Sequence, residues 1–91
     1  MYETKITSNK QFYLGKKKAS EVGVTPRKGA PVKAVVWKDN EFMDFDAELG
    51  SSLKFTIPAE VRNELGIEEG DDVLMAVEPD TSDAGLDALY N

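Results

Sequence analysis

Leu53-Lys54-Phe55-Thr56-Ile57-Pro58-Ala59-Glu60-Val61-Arg62-Asn63-Glu64-Leu65-Gly66-Ile67 is the stretch on which the reading of this chain turns. Leu53 to Ile57 is rich in strand formers and is stopped by Pro58, a residue favoured at the first helical position, where its missing N–H costs nothing. Residues 58–65 then read as a two-turn helix. Val61 and Leu65 share its inner face, and Glu60 lies in the first turn, where negative charge suits the helix dipole. Gly66 is placed to end the helix in a left-handed conformation, and Ile67 returns to the core. Glu68-Glu69-Gly70-Asp71-Asp72 reads as a turn. Val73 to Val77 reads as a buried strand ended by Glu78-Pro79-Asp80.

Moving toward the N-terminus, the same plan recurs. A shift of 43 positions sets Ser8 on Ser51, Phe12 on Phe55, Glu21 on Glu64, Gly23 on Gly66 and Val24 on Ile67. A two-residue insertion within Thr25-Pro26-Arg27-Lys28 changes the shift to 41, and Gly29 then meets Gly70, Val32 meets Val73 and Val36 meets Val77. The matches fall at the core aromatic, the helix stop, the turn glycine and the following strand. One strand–helix–strand unit cannot bury its apolar face alone, so two copies in tandem predict one shared barrel. The expected organisation is a single barrel over residues 1–80, with repeats over about 1–45 and 46–80, and an acidic tail over 81–91. Val32 to Trp37, Lys38-Asp39-Asn40-Glu41 and Phe42 to Phe45 read as strand, turn and strand, a hairpin of the longer-loop type. Leu86, Leu89 and Tyr90 are the large apolar residues of the tail, which is either frayed or docked on a partner.

Composition narrows the chemistry. Ninety-one residues make one small domain. Without cysteine there are no disulfides, thiolate metal sites or cysteine nucleophiles, and without histidine the commonest general base and zinc ligand are missing. An enzyme is not expected, nor any cofactor. Glu68-Glu69 and Asp71-Asp72 do not have the spacing of a calcium loop. Apolar runs such as Ala34-Val35-Val36-Trp37 and Val73-Leu74-Met75-Ala76-Val77 are far too short to span a bilayer, and the start lacks an apolar signal segment, which predicts a cytoplasmic protein without a membrane partner. The net charge of −6 conceals a division: residues 1–45 carry +4 and residues 46–91 carry −10. Such asymmetry fits either a surface meant for a polyanion or an acidic side that only solubilises.

Lys54 to Ile67, followed by Glu69-Gly70-Asp71-Asp72-Val73, resembles the SpoVT/AbrB swapped-hairpin domain, the family of AbrB-like transition-state regulators and MazE-type antitoxins. The shared pattern is a basic residue, a short strand ending in Ile-Pro, a helix with Glu-x-Arg, then Leu-Gly-Ile and a Gly-Asp turn. The first repeat departs from it, with Gly15 where Pro58 stands and Ala19 where Arg62 stands. The resemblance implies a mostly β fold with short helices, an AbrB-like swapped-hairpin barrel. In the family two chains interlock to complete that barrel, so two repeats in one chain imply a single-chain pseudo-dimer.

It also implies duplex DNA as partner. Carried over by position, the contacts are Lys54 and Arg62, with Lys5, Lys10, Lys16, Lys17 and Lys18 close by in sequence. Lysines set against phosphates release condensed counterions, and an arginine fork can read guanine. Each has a plainer reading as well: Arg62 pairing with a carboxylate, Lys54 guarding a strand edge, Lys16 to Lys18 as a solvated helix start. Trp37, Phe42 and Phe45 read as core or hairpin packing. A second function stands beside DNA binding: an antitoxin-like or assembly module that holds a protein partner such as a toxin through its acidic half and tail. Homo-oligomers fit either.

Overall fold

The computed structural model describes residues 1–80; Leu86, Leu89 and Tyr90 of the tail lie outside the described residues. The elements are β1 (Tyr2–Lys5), β2 (Gln11–Tyr13), α1 (Gly15–Val22), β3 (Pro31–Lys38), β4 (Glu41–Glu48), β5 (Lys54–Thr56), α2 (Ala59–Leu65) and β6 (Asp72–Pro79), with one 3-10 turn over Ser51–Leu53. All pairing is antiparallel. Four strands form a sheet in the order β1-β6-β3-β4, and β2 and β5 form a two-stranded ribbon. The expected mostly β architecture with two short helices is the one the chain adopts.

The strands are exchanged between the two halves. β1, from the first half, pairs with β6 of the second, while β4, opening the second half, pairs with β3 of the first. Registers follow the offsets of the sequence repeat. Tyr2↔Met75 has its counterpart in Ala34↔Phe45, and Glu3↔Leu74 in Lys33↔Asp46. Val35↔Ala76 and Phe12↔Phe55 are each paired with their own repeat equivalent, so a pseudo-twofold axis passes through both. The turns obey it too: the Gly29 N–H donates to the Leu49 carbonyl at 2.7 Å, and the Gly70 N–H to the Ile6 carbonyl at 2.8 Å.

Between sheet and ribbon lies the core. Phe12 and Phe55 meet at 5.5 Å between ring centroids, flanked by Tyr2 against Phe12 at 6.1 Å and Phe45 against Phe55 at 5.9 Å. Leu14, Leu49, Ile57, Met75, Val32 and Val36 are fully buried around them, and among the described residues no polar side chain is buried. Alternation along each strand accounts for this, since Val32, Ala34 and Val36 of β3 point inward with Val73, Met75 and Val77 of β6.

Two local expectations are corrected. The hairpin between β3 and β4 closes over two residues, Asp39 and Asn40, because Lys38 and Glu41 still pair; Asp39 takes φ 55, which its short polar side chain tolerates. β6 is buried on one face only, with Leu74 41% exposed, and it runs on through Glu78 and Pro79, because Pro79 sits at the strand's end opposite Val32. Of the aromatics read as core or hairpin packing, Phe45 is in the core, and Phe42, 67% exposed, packs across the hairpin against Trp37 at 6.2 Å.

Candidate nucleic-acid interface

The ribbon turns Phe12 and Phe55 inward, so the alternating residues Gln11, Tyr13, Lys54 and Thr56 share its outer face. Tyr13 is directly opposite Lys54. Immediately after Tyr13 the chain enters α1 at Gly15, whose φ of 76 favours glycine and whose absent Cβ would stand 3.2 Å from the Tyr13 ring. Lys16 and Lys17 follow, exposed in the first turn of α1, which holds no acidic residue. Two cations there oppose the helix dipole, a placement that folding alone does not favour.

Lys10 and Arg62 gather at the other end of the ribbon. The Ile57 N–H donates to the Lys10 carbonyl at 2.9 Å, and Arg62 Nε donates to the Ile57 carbonyl at 3.0 Å. Arg62 thus binds backbone instead of a neighbouring carboxylate, and its guanidinium lies where β5 runs into α2. Lys10 stands at φ 55. Its repeat equivalent Leu53 has φ 56 and accepts the Leu14 N–H at 3.0 Å, so this left-handed bend is a requirement of the ribbon and not of the lysine. Three residues of ribbon separate its two ends by roughly 10 Å. The ribbon and the two helices that follow its strands thus carry Lys10, Lys16, Lys17, Lys54 and Arg62, with the Lys10 ammonium donating to the Ser8 carbonyl at 3.2 Å and Glu60 in the first turn of α2.

Two of the seven predicted cations are elsewhere. Lys5 is on β1, in the four-stranded sheet, 3.4 Å from Asp72. Lys18 is turned inward, its ammonium 5.0 Å from the Tyr2 ring centroid and 5.4 Å from that of Phe12. The Tyr2 hydroxyl donates to Glu21 at 3.3 Å, and burial followed by that carboxylate pushes its pKa up, so Lys18 belongs to a structural cluster. Tyr13, 61% exposed beside Lys54, was not singled out in the sequence. Its signal was present in Gln11-Phe12-Tyr13, since fixing Phe12 in the core forces Tyr13 outward.

Asp71 of the acidic turn is engaged by the protein itself. Its carboxylate accepts the Glu68 N–H at 2.8 Å and meets Lys38 Nζ at 2.9 Å. Among the described residues no three potential ligands gather into a metal site. No described helix is long and apolar enough to cross a membrane.

Comparison with known proteins follows the same division of the chain. No curated protein matches it. The solution structure of PHS018 from Pyrococcus horikoshii superposes with a TM-score of 0.62 at 18% identity, covering 86% of this chain and 87% of that one, which places the two in one fold. Residues 49–82 match the family model described as antidote-toxin recognition MazE, bacterial antitoxin. The resemblance carried by Lys54 to Val73 is therefore matched independently: from Leu49 through β5, α2 and β6, this chain is similar to the MazE antitoxin family.

Proposed function

We propose that this chain is a cytoplasmic, AbrB-type DNA-binding regulator that contacts duplex DNA through the outer face of the β2–β5 ribbon and the starts of α1 and α2. The observation that supports this reading is that Lys10, Lys16, Lys17, Lys54 and Arg62 lie on or directly beside one two-stranded ribbon in a chain whose net charge is −6. In it, residues 1–80 work as one barrel built from two repeats, so a single chain offers the ribbon that the family assembles from two. The lysines set affinity through phosphates, and Arg62, anchored through Nε, keeps its two Nη groups for a base edge or a phosphate. The test compares duplex affinity of the wild type with that of Lys16→Ala/Lys17→Ala/Lys54→Ala across several salt concentrations. Loss of three phosphate contacts reduces the log–log salt slope by about 3 and weakens all duplex sequences alike. Unchanged affinity and slope would refute the assignment.

The match to an antitoxin family favours a second reading, in which the acidic second half and residues 81–91 hold a protein partner such as a toxin. On that reading, deleting residues 81–91 abolishes the complex and leaves the melting temperature of the barrel unchanged.

A further inference from the structure

The outer face of the four-stranded sheet, away from the ribbon, carries a feature that folding does not require. Leu74, Trp37 and Phe42 form one cross-strand row over β6, β3 and β4, with Glu3 of β1 at its end. The pseudo-twofold axis supplies a control within the same molecule. The equivalents of Leu74, Trp37 and Glu3 are Lys33, Glu78 and Asp46, which form a charged row on the same face. One fold position thus accepts charged side chains in one half and large apolar ones in the other. Burial does not explain the difference, because Phe42 is 67% and Leu74 41% exposed.

Between Trp37 and Leu74 the surface sinks into a cleft of about 130 Å³, rimmed by the carboxylates of Glu3, Asp39 and Asp72. Nearby cations do little to neutralise it. Lys38 is committed to the Gly66 carbonyl and Asp71. Lys5 reaches Asp72 at 3.4 Å, but both side chains are more than 60% exposed, and such pairs are weak and exchange readily. An apolar, aromatic floor under an anionic rim is complementary to a side chain with an aliphatic stem and a cationic head. Arginine fits better than lysine, because a planar guanidinium stacks on an indole face while its fork meets carboxylates. A second copy presenting this same face would oppose carboxylates to carboxylates, and nucleic acid is repelled by the rim.

We propose that this cleft is a docking site for an arginine-bearing segment of a second protein, with the guanidinium over Trp37 between Glu3 and Asp72 and aliphatic neighbours along Leu74 and Phe42. The site lies on the four-stranded sheet and includes no residue of the ribbon, so it does not rest on the DNA-binding reading above.

Trp37 is the sole tryptophan of the chain and reports directly on occupancy. The full-length protein is titrated with an acetylated, amidated Leu-Arg-Leu-Arg peptide, followed by tryptophan emission, and then with the same peptide bearing citrulline for arginine. The expected result is a saturable change with the arginine peptide. Affinity falls by about tenfold or more with citrulline, and equally in the Glu3→Gln/Asp72→Asn variant, whose exposed substitutions leave the circular dichroism unchanged. Absence of a saturable change overturns the proposal. So does equal affinity for the citrulline peptide, or affinity indifferent to the double variant. Concentration-dependent self-association that Phe42→Ser abolishes and the arginine peptide does not compete away would assign the face to a second copy instead.

Discussion

Lys38 leaves the end of β3 and reaches the far end of α2, where its ammonium donates to the carbonyl of Gly66 and pairs with Asp71. The Asp71 bond raises the Lys38 pKa; Lys38, followed by the Glu68 N–H, lowers that of Asp71. Asp71 therefore contributes fully above the ordinary carboxylate value of 3.8, and its share fades as pH falls through its lower folded value. Lys38 contributes fully below 10.5, and its share fades as pH rises through its higher folded value. Lys38→Met should lower the melting temperature at pH 7, and the gap from wild type should shrink on acidification below the ordinary carboxylate value of 3.8; a constant gap in thermal scans would deny the linkage. Sequence exposes the Gly-Asp turn but not its partner, which comes from the other repeat and whose own equivalent is Pro79. Arg62 and Lys54 separate for a related reason. Arg62→Ala removes a half-buried hydrogen bond to Ile57 and should cost about 1 kcal/mol of stability as well as DNA affinity. Lys54→Ala has no such bond to lose and should cost affinity only, a contrast that chemical denaturation beside binding assays checks.

Among the elements, α2 was legible almost residue by residue. The one difference is at its start: Pro58, expected as the first helical residue, caps the helix from outside at φ −57 and ψ 146; Val61 is buried, and Gly66 closes the helix at φ 65 while Ile67 N–H bonds back to the Arg62 carbonyl at 2.8 Å. Gly66→Ala meets no steric obstacle nearer than Lys38 Nζ at 3.8 Å, so its cost is conformational: about 1 kcal/mol, measured by urea unfolding. A cost near zero would mean that the cap relaxes. α1 was less legible, because it starts without a side-chain cap and at a glycine of positive φ. The bend at Lys10 was invisible in sequence, since lysine gives no sign of a φ of 55 that the ribbon imposes. For that reason Lys10→Gly, not Lys10→Ala, is the substitution that removes this charge while easing the backbone. The outer face of the β3–β4 hairpin was hidden too. Ala34-Val35-Val36-Trp37 is continuously apolar, and only the register shows that Val35 and Trp37 look outward while Ala34 and Val36 look in.

At the scale of the whole molecule, one chain carries what two equal halves would build. The axis through Phe12↔Phe55 and Val35↔Ala76 relates strands that complete each other, and its offsets are those of the sequence repeat. Seven identities sufficed to find it because five of them fall at positions with little freedom: an inward aromatic, a helix-ending glycine, a turn glycine and two inward valines; Ser8/Ser51 and Glu21/Glu64 are exposed. The surface was not constrained in this way, so the charges diverged between the halves and the candidate interface became unequal. A barrel closed within one chain unfolds at a midpoint independent of protein concentration, which thermal scans over a hundredfold dilution would check; a midpoint that falls on dilution would mean that folding requires a second chain. The claim on which the functional account rests is that the ribbon meets phosphates. The most direct measurement is fluorescence anisotropy of a labelled random-sequence duplex with the intact protein between about 50 and 300 mM salt. Five phosphate contacts, from Lys10, Lys16, Lys17, Lys54 and Arg62, predict micromolar binding with a log–log slope of about −4 to −5. No binding at the lowest salt, or a slope near zero, would contradict it.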